Sequence, residues 1–262
     1  MKKLLQKWNA RCLLCMLPSL VGTAVFFVIP YLRVLYYSLI DNQFRRNFVW
    51  FDNYVKTLTN EYFLLALRNS LLIIVICVPV LVALALVISL GLSFGIRAVR
   101  KTRFAFVLPM VIPTASAVLI WQSDTSTPLP VYLLFIWKNI GICIVLLTAA
   151  FTAIDGSIFE AARLDGAGKF TLHTKITVPM IMPTIFFTVL LSIVNSFRIF
   201  KESYLFFGTN YPPDHSYTLQ YYMNNNFLKL DYQSLASAAV LTSVLVFLIV
   251  MGGLAVQRRY RQ

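Results

Sequence analysis

Six apolar segments, each long enough to cross a lipid bilayer, limit what this chain can fold into. A spanning helix needs about 20 predominantly apolar residues. The segments cover about residues 12–38, 69–96, 104–123, 131–154, 180–200 and 233–257. The chain is 59% hydrophobic and 13% charged, whereas soluble domains are about 45–50% apolar and about 25% charged. The sequence therefore predicts an all-α integral membrane protein with six transmembrane helices in a single domain, 1–262. It excludes a cytosolic enzyme, a secreted domain and a disordered tail.

The first segment has two interpretations. Four basic residues precede it, Lys2, Lys3, Lys7 and Arg11, as in a cleavable signal peptide. The apolar run is longer than a signal-peptide core, and no small-x-small cleavage site follows it. We therefore expect an uncleaved first span.

The distribution of Lys and Arg predicts the orientation. With the N-terminus inside, fourteen of the 23 basic residues fall on the cytoplasmic side, six fall outside, and three lie within or beside spans. Cytoplasmic loops carry the excess of positive charge in membrane proteins. We therefore expect both termini and the loop 155–179 in the cytoplasm. The net charge of +13 then reflects basic loops and predicts no nucleic-acid partner.

The residue types that hold cofactors are sparse. Cys12, Cys15, Cys77 and Cys143 all lie in apolar runs, which predicts buried thiols and neither a disulfide framework nor a metal site. The two histidines are far apart, and no phosphate-binding G-x-x-x-x-G-K-[ST] loop is present. We therefore expect no catalytic residue, no metal and no cofactor on this chain.

The loop between the fourth and fifth segments predicts two short helices. Ser157-x-x-Glu160 is a capping box, so a helix is expected to begin near Ile158. Gly166 and Gly168 can end it, because glycine adopts left-handed conformations at little cost. Ala162 and Gly166 are four residues apart and would form a small-residue face that another backbone can approach closely. A second short helix is expected over 170–176.

The same loop carries a spaced motif. Glu160-Ala161-Ala162 is followed after three residues by Gly166, after nine more by Ile176, and after one more by Val178-Pro179. This spacing is similar to the motif of inner-membrane permeases of bacterial ABC importers. Val178 replaces the family's leucine, and Asp155 stands where a proline is common. The resemblance extends from about residue 18 to 257. Segments that resemble the carbohydrate-importer branch are Phe51-Asp-Asn-Tyr54, Leu67-Arg-Asn-Ser70, Phe135-Ile-Trp-Lys138, Glu160 to Ala167, and Tyr211-Pro-Pro213.

The resemblance implies a type I ABC importer permease of the maltose-permease F-like type in the bacterial inner membrane. Such a chain forms half of a sugar path beside a second, G-like permease. An ATPase dimer with ATP and Mg²⁺ drives transport, and an extracytoplasmic sugar-binding protein delivers substrate. The resemblance assigns ATPase docking to Glu160, Ala161, Ala162, Leu164, Asp165, Gly166 and Ala167.

The alternative is a secondary transporter or another polytopic membrane protein without an ATPase partner. Ion-coupled transporters are expected to show paired repeats or acidic residues inside spans. No internal repeat is evident, and no Asp or Glu lies inside the six segments. A haem-bearing redox subunit would need paired histidines within spans, which are also missing from the sequence.

A polar stripe on the fifth segment marks a candidate substrate path. At helical spacing, Thr184, Thr188, Ser192, Asn195 and Ser196 share one face. Their hydroxyls and amides suit either sugar hydroxyls or interhelical packing, and both interpretations remain open. Lys138 and Asn139 on the fourth segment join the candidate path, although Lys138 is expected to extend towards the outer surface. The candidate residues are Thr188, Ser192, Asn195, Lys138 and Asn139.

The segment between the third and fourth spans is short. Only 15 residues separate Trp121 from Trp137, where relatives carry a considerably longer outer segment. Either the outer gate is trimmed or the sequence lacks a stretch. Pro109 and Pro113 interrupt the third span and predict bends there.

Overall fold

The computed structural model describes residues 15–93, 103–121, 126–168 and 171–259, and within these ranges the fold is helical. The one β pairing among them is an isolated antiparallel bridge between Ile40 and Phe48. The helices are α1 (Cys15–Ser38), α2 (Asp52–Leu58), α3 (Glu61–Ser93), α4 (Arg103–Val111), α5 (Thr114–Trp121), α6 (Leu129–Thr152), α7 (Gly156–Leu164), α8 (Leu172–Met180), α9 (Met182–Ser196), α10 (Phe200–Phe207), α11 (Leu219–Leu228) and α12 (Tyr232–Arg259).

Four of the described helices, α1, α3, α6 and α12, are each long and apolar enough to cross a membrane. A fifth crossing is possible through α8 and α9, which are bent by 65° at Ile181. Pro183 lies in the first turn of α9, where its fixed φ and missing N–H suit a helix start. The fifth predicted segment, 180–200, thus contains α9, and the bend lies at the start of that segment.

The third predicted span, 104–123, is not one helix. It is divided into α4 and α5 by a break at Ile112 and Pro113. Pro113 has no N–H to continue the ladder of α4, and its carbonyl accepts the N–H of Ala117 at the start of α5. Pro113 therefore interrupts the span as predicted, whereas Pro109 lies inside α4 without a break. Residues 122–125 lie outside the described residues.

The described residues form two compact units: those up to Asn60 with Asn225–Val244, and Glu61–Asn224 with those from Leu245 onward. In the first unit, the Asn53 side chain donates to the carbonyls of Ser38 and Ile40 at 3.0 and 2.8 Å. These bonds fix the turn that follows α1. The hydroxyls of Thr57 and Ser237 lie 2.6 Å apart and join α2 to α12.

The core of the second unit lies mainly between α3 and α6. The fully or nearly buried side chains Ile73, Cys77, Leu81 and Ala85 recur every four residues along one face of α3. The buried thiols Cys77 and Cys143 agree with the sequence prediction. Cys15, in contrast, is exposed on α1, and Cys12 lies outside the described residues.

A close backbone approach joins α6 to α4 at Gly141. A Cβ atom at this position would lie 2.6 Å from the carbonyl oxygen of Phe106 and 3.2 Å from Cα of Val107. Small residues allow membrane helices to approach to this distance. Gly141 therefore allows α4 to pack closely against α6.

Candidate functional site

Asp155 is the N-cap of helix α7, whose first residue is Gly156. Asp155 has an extended backbone, and its carboxylate accepts the N–H of Ser157 at 3.0 Å. The predicted capping box, with Ser157 as N-cap and a helix from Ile158, is wrong. The helix begins at Gly156, two residues before Ile158. Aspartate caps as well as serine does, and its charge also suits the positive end of the helix. Hydrogen bonds from Ser157, its N–H foremost, hold the pKa of Asp155 below its ordinary value.

Gly166 ends α7, as the sequence predicts. Its φ is 80°, in the left-handed region, and two hydrogen bonds close the turn. The N–H of Ala167 donates to the carbonyl of Ala162 at 2.9 Å, and that of Gly166 donates to Arg163 at 3.1 Å. This is the Schellman arrangement. Gly168 is not left-handed, so Gly166 alone supplies the stop.

The faces of α7 differ from the sequence expectation. Ala162 is only 8% exposed, so its methyl group points into the chain. The small-residue face predicted for Ala162 and Gly166 is therefore not available at the surface at Ala162, although Gly166 is exposed. Leu164 is 89% exposed and is the most prominent apolar side chain on this helix. Glu160, Ala161 and Asp165 are exposed beside it.

The second helix of this loop is α8. It begins at Leu172, and the hydroxyl of the fully buried Thr177 donates to the Leu172 carbonyl at 2.9 Å. Helix α8 runs to Met180, four residues beyond the expected end. The start of the predicted segment, including residue 170, lies outside the described residues.

A polar cavity of about 190 Å³ lies among α6, α9 and α10 in the second unit. It brings together three of the candidate path residues, Lys138, Asn139 and Asn195. The other lining residues are Phe135, Arg198, Ile199 and Glu202.

An ion pair forms part of the cavity wall. The Lys138 ammonium donates to a carboxylate oxygen of Glu202 at 3.3 Å and to the hydroxyl of Thr114 at 2.8 Å. The Lys138 and Glu202 side chains are only 15% and 18% exposed. The sequence interpretation, in which Lys138 extends to the outer surface, is therefore wrong. The ammonium is held inside because it has a carboxylate partner.

Glu202 is a cavity residue that the sequence pattern does not predict. The sequence does indicate that Lys138 needs an acidic partner, since a basic residue inside a span usually has one. Glu202 is the one acidic residue between Asp165 and Asp214 in the sequence, and it follows the fifth span closely. Its position on α10 could not be inferred, because α10 depends on the turn that ends α9 at Phe197.

Two asparagines supply the neutral polar groups of the cavity. The side-chain amide of Asn195 donates to the side-chain oxygen of Asn139 at 3.2 Å, and Asn139 donates to the Phe135 carbonyl at 2.9 Å. Each has remaining hydrogen-bonding capacity. The pair therefore offers both donors and acceptors to a hydroxylated ligand.

The rest of the polar stripe does not line the cavity. Thr188 and Ser192 are 0% and 1% exposed, and each hydroxyl donates to the carbonyl four residues earlier at 2.8 Å. The Ser192 hydroxyl also lies 3.6 Å from the Cys143 thiol of α6. These contacts favour the packing interpretation for Thr188 and Ser192. Asn195 is the member of the stripe that reaches the cavity.

Other candidate groups are few in the described part of the chain. Trp121 and Trp137 pack edge to face, with ring centroids 6.0 Å apart. No group of three or more His, Cys, Asp or Glu side chains in the described ranges could hold a metal ion.

Comparison with known proteins shows the family. Residues 62–262 match the family described as "Binding-protein-dependent transport system inner membrane component", and the chain belongs to it. It is 27% identical to the osmoprotective compounds uptake permease GgtC of Synechocystis over 74% of this chain and 80% of that protein. It is 25% identical to the lactose transport permease LacF of Rhizobium radiobacter over 88% of each.

The fold agrees with this membership. A solved bacterial ABC transporter for the import of the acidic polysaccharide alginate has a chain that matches with a TM-score of 0.77, at 21% identity and 98% coverage of both chains. This protein is therefore a multi-pass inner-membrane permease with the type I importer fold. It is a subunit of an ATP-driven, binding-protein-dependent importer, and ATP hydrolysis belongs to a separate chain.

Proposed function

We propose that this permease serves a carbohydrate importer and forms half of its path, beside a second, G-like permease. The observation that supports this most strongly is the spaced motif from Glu160 to Pro179, whose first part, up to Gly166, lies in a capped and terminated helix. Relatives named for lactose and diacetylchitobiose uptake favour a sugar cargo. A periplasmic sugar-binding protein would deliver it, and an ATPase dimer with ATP and Mg²⁺ would drive it.

Helix α7 is proposed as the ATPase-docking element. Its cap and its Schellman stop hold both ends rigidly, so that a push on the helix is transmitted rather than absorbed by fraying. The exposed Leu164 can fill an apolar cleft, with Glu160, Ala161 and Asp165 around it. Ala162 would then support this surface from within, because it is buried, and Gly166 and Ala167 would end the helix beside it.

The proposed topology has six crossings and both termini in the cytoplasm. Its support is the bias of basic residues, fourteen inside against six outside. The third crossing would be made by α4 and α5 together, as a span broken at Pro113. With this orientation α7 faces the cytoplasm, where an ATPase can reach it.

The cavity is proposed as part of the substrate path. Asn139 and Asn195 present amides at its wall, and sugar hydroxyls need both donors and acceptors. Lys138 adds a charged donor. Thr188 and Ser192 would support α9 against α6 and would not contact sugar.

Purification of the tagged permease from its native membrane tests the proposal. An ATPase and a second permease should remain bound, and the complex in proteoliposomes should take up labelled oligosaccharides with ATP and the binding protein. Asn195→Ala should reduce uptake several-fold, the scale of one lost hydrogen bond. The matched change Ser192→Ala should reduce it less. Absence of a co-purifying ATPase would contradict the coupling role, and normal uptake by Asn195→Ala would remove the cavity from the path.

A further inference from the structure

We propose that the cavity selects sugars that carry an anionic group, a carboxylate or a phosphate. This inference rests on the proposed function, in which the cavity belongs to the path. The supporting observation is that the cavity is lined by more positive than negative side chains.

Two cationic side chains and one anionic side chain line this space. Lys138 and Arg198 are positive, and Glu202 is negative. Phe135 and Ile199 contribute apolar surface, and Asn139 and Asn195 are neutral. The side chains that line the cavity therefore carry a net charge of +1, since Lys138 and Arg198 outnumber Glu202.

The excess charge is on Arg198. Glu202 is already committed to Lys138 at 3.3 Å. Among the described residues, the Arg198 guanidinium makes no ion pair and no hydrogen bond, although its side chain is exposed at the cavity. A guanidinium has a planar fork of donors that matches a carboxylate or phosphate in two parallel hydrogen bonds. Arg198 is therefore placed as the anion-binding group.

The cavity offers two kinds of binding group, neutral amides and a cation. Asn195 at the end of α9 and Arg198 in the turn that follows both line this space. An acidic sugar can place its hydroxyls on the asparagines and its anionic group on Arg198. A neutral sugar can use only the first of these, and it leaves the cation unpaired.

Glu202 sets how strongly the cavity attracts an anion. Its carboxylate neutralises Lys138, which leaves one free cation rather than two. Replacement of Glu202 by glutamine retains the size of the side chain and a hydrogen-bonding oxygen for Thr114 and Lys138, and removes the negative charge. The proposal therefore expects this change to increase the affinity for anions, the opposite of the effect of losing Arg198.

Binding to the purified importer complex, without its binding protein, tests the inference directly. The probes are digalacturonate, glucose 6-phosphate and the neutral disaccharide cellobiose, measured by equilibrium dialysis. At least one acidic probe should bind about tenfold or more tightly than cellobiose, the scale of one charge-assisted hydrogen bond. The preferred acidic probe identifies the carboxylate or the phosphate as the favoured group.

Three variants make the test specific. Arg198→Gln should abolish the preference for the acidic probe, and Glu202→Gln should strengthen it several-fold. Lys201→Gln is the matched control, because Lys201 is an exposed lysine three residues away that does not line the cavity; it should leave the preference intact. Complex retention and permease abundance exclude loss of folding as the cause.

The contrary outcomes are distinguishable. If cellobiose binds as well as the acidic probes, depends on Asn195, and is unaffected by Arg198→Gln, the anionic preference is overturned and the proposed sugar path stands. If Lys201→Gln acts as strongly as Arg198→Gln, the effect is one of general surface charge and the inference fails. If no probe binds and Asn195→Ala transports normally, the cavity is not part of the path and this inference fails with it, whereas the proposed role in an ATP-driven importer is decided separately by the co-purifying ATPase.

Discussion

Lys138 on α6 and Glu202 on α10 form an ion pair with 3.3 Å between nitrogen and oxygen, although 64 residues separate them in the sequence. Thr114, the first residue of α5, accepts a second hydrogen bond from the same ammonium. Three helices are thus joined at one polar point in a largely apolar unit. The pair both shapes the cavity and fixes α5 just beyond the Pro113 break.

Removal of one partner of this pair should destabilise the permease. In Lys138→Met the Glu202 carboxylate loses its counter-charge while less than a fifth of the side chain is exposed, and such a loss costs roughly 1.5–3 kcal/mol. The thermal midpoint of the purified protein should fall. Lys138→Met with Glu202→Leu should recover much of it, because neither charge is then left unpaired. Equal midpoints for the single and double variants would show that the pair contributes no coupling.

The packing of α4 on α6 predicts a second sensitive position. Gly141→Ala should destabilise the protein by roughly 1–3 kcal/mol, the usual cost of overpacking, because the new methyl group would lie 2.6 Å from the Phe106 carbonyl oxygen. Gly252→Ala on α12 is the matched control, since no atom lies within 4 Å of its Cβ position. Thermal unfolding of both variants in the same detergent compares them, and a loss of equal size would contradict the close approach.

The sequence predicts elements whose signal is local. The apolar segments indicate helices, and Gly166 indicates a helix stop, because apolar length and a glycine's conformational freedom act within a few residues. The cap was misassigned for a related reason. Asp155 and Ser157 are both good caps two residues apart, and the choice between them depends on the backbone entering from α6.

Long-range relationships were not predictable in the same way. The sequence indicated that Lys138 is unusual, but its partner Glu202 depends on the fold of α10. Likewise, the helical spacing placed Thr188, Ser192 and Asn195 on one face, but only packing against α6 decides which of them reaches the cavity. The burial of Ala162 was also not predictable, because it depends on how α7 packs against the rest of the chain. The helix is exposed around most of its circumference, so its sequence does not show which side is covered.

The topology can be tested by cysteine labelling. In a background without the four native cysteines, single cysteines at Gly168 and at Tyr211 should react oppositely with a membrane-impermeant reagent added to intact cells. Gly168→Cys should be protected until the cells are opened, and Tyr211→Cys should react at once, since both positions are exposed in the structure. Reaction of both from outside would contradict the six-crossing arrangement.

The cap of α7 predicts a pattern across three substitutions. Asp155→Ala should weaken the start of the helix and reduce ATPase retention, whereas Asp155→Asn should preserve both, because asparagine is an equally good cap. Ser157→Ala should have a smaller effect than Asp155→Ala, since the main hydrogen bond comes from the backbone N–H of Ser157. Pull-down of the ATPase, normalised to permease abundance, provides the measurement. A larger loss of ATPase retention in Ser157→Ala than in Asp155→Ala would instead support Ser157 as the N-cap.

The same cap sets an expected pH dependence. The pKa of Asp155 is lowered below its ordinary value of 3.8, so the ionised carboxylate favours the folded helix above that value. This contribution is lost only as the pH falls through the lower, folded-state pKa. Titration of Asp155 should therefore cause no change in ATPase retention by the wild type between about pH 5 and 8. If Asp155→Asn changes the pH profile of retention within that range, the assigned cause of the shift is wrong.

The exposed tip of α7 gives the sharpest test of coupling. Leu164 is 89% exposed, and if it fills an apolar cleft of the ATPase, Leu164→Glu should abolish ATPase retention and uptake while the permease remains at normal abundance. Gly166→Leu should also impair docking, but partly through the helix end, because a side chain at φ 80° costs about 1 kcal/mol or more. No atom lies within 4 Å of its Cβ position, so a clash inside the chain is not the reason.

Leu228→Glu is the control for the new charge at Leu164. Leu228 is also an exposed leucine, at 55%, but it lies at the end of α11, which the proposed topology places on the opposite side of the membrane. It should leave ATPase retention unchanged. Pull-down and uptake are measured for all three variants per molecule of permease. Normal retention in Leu164→Glu would contradict the docking surface, because an unpaired carboxylate buried in an apolar cleft would be strongly unfavourable.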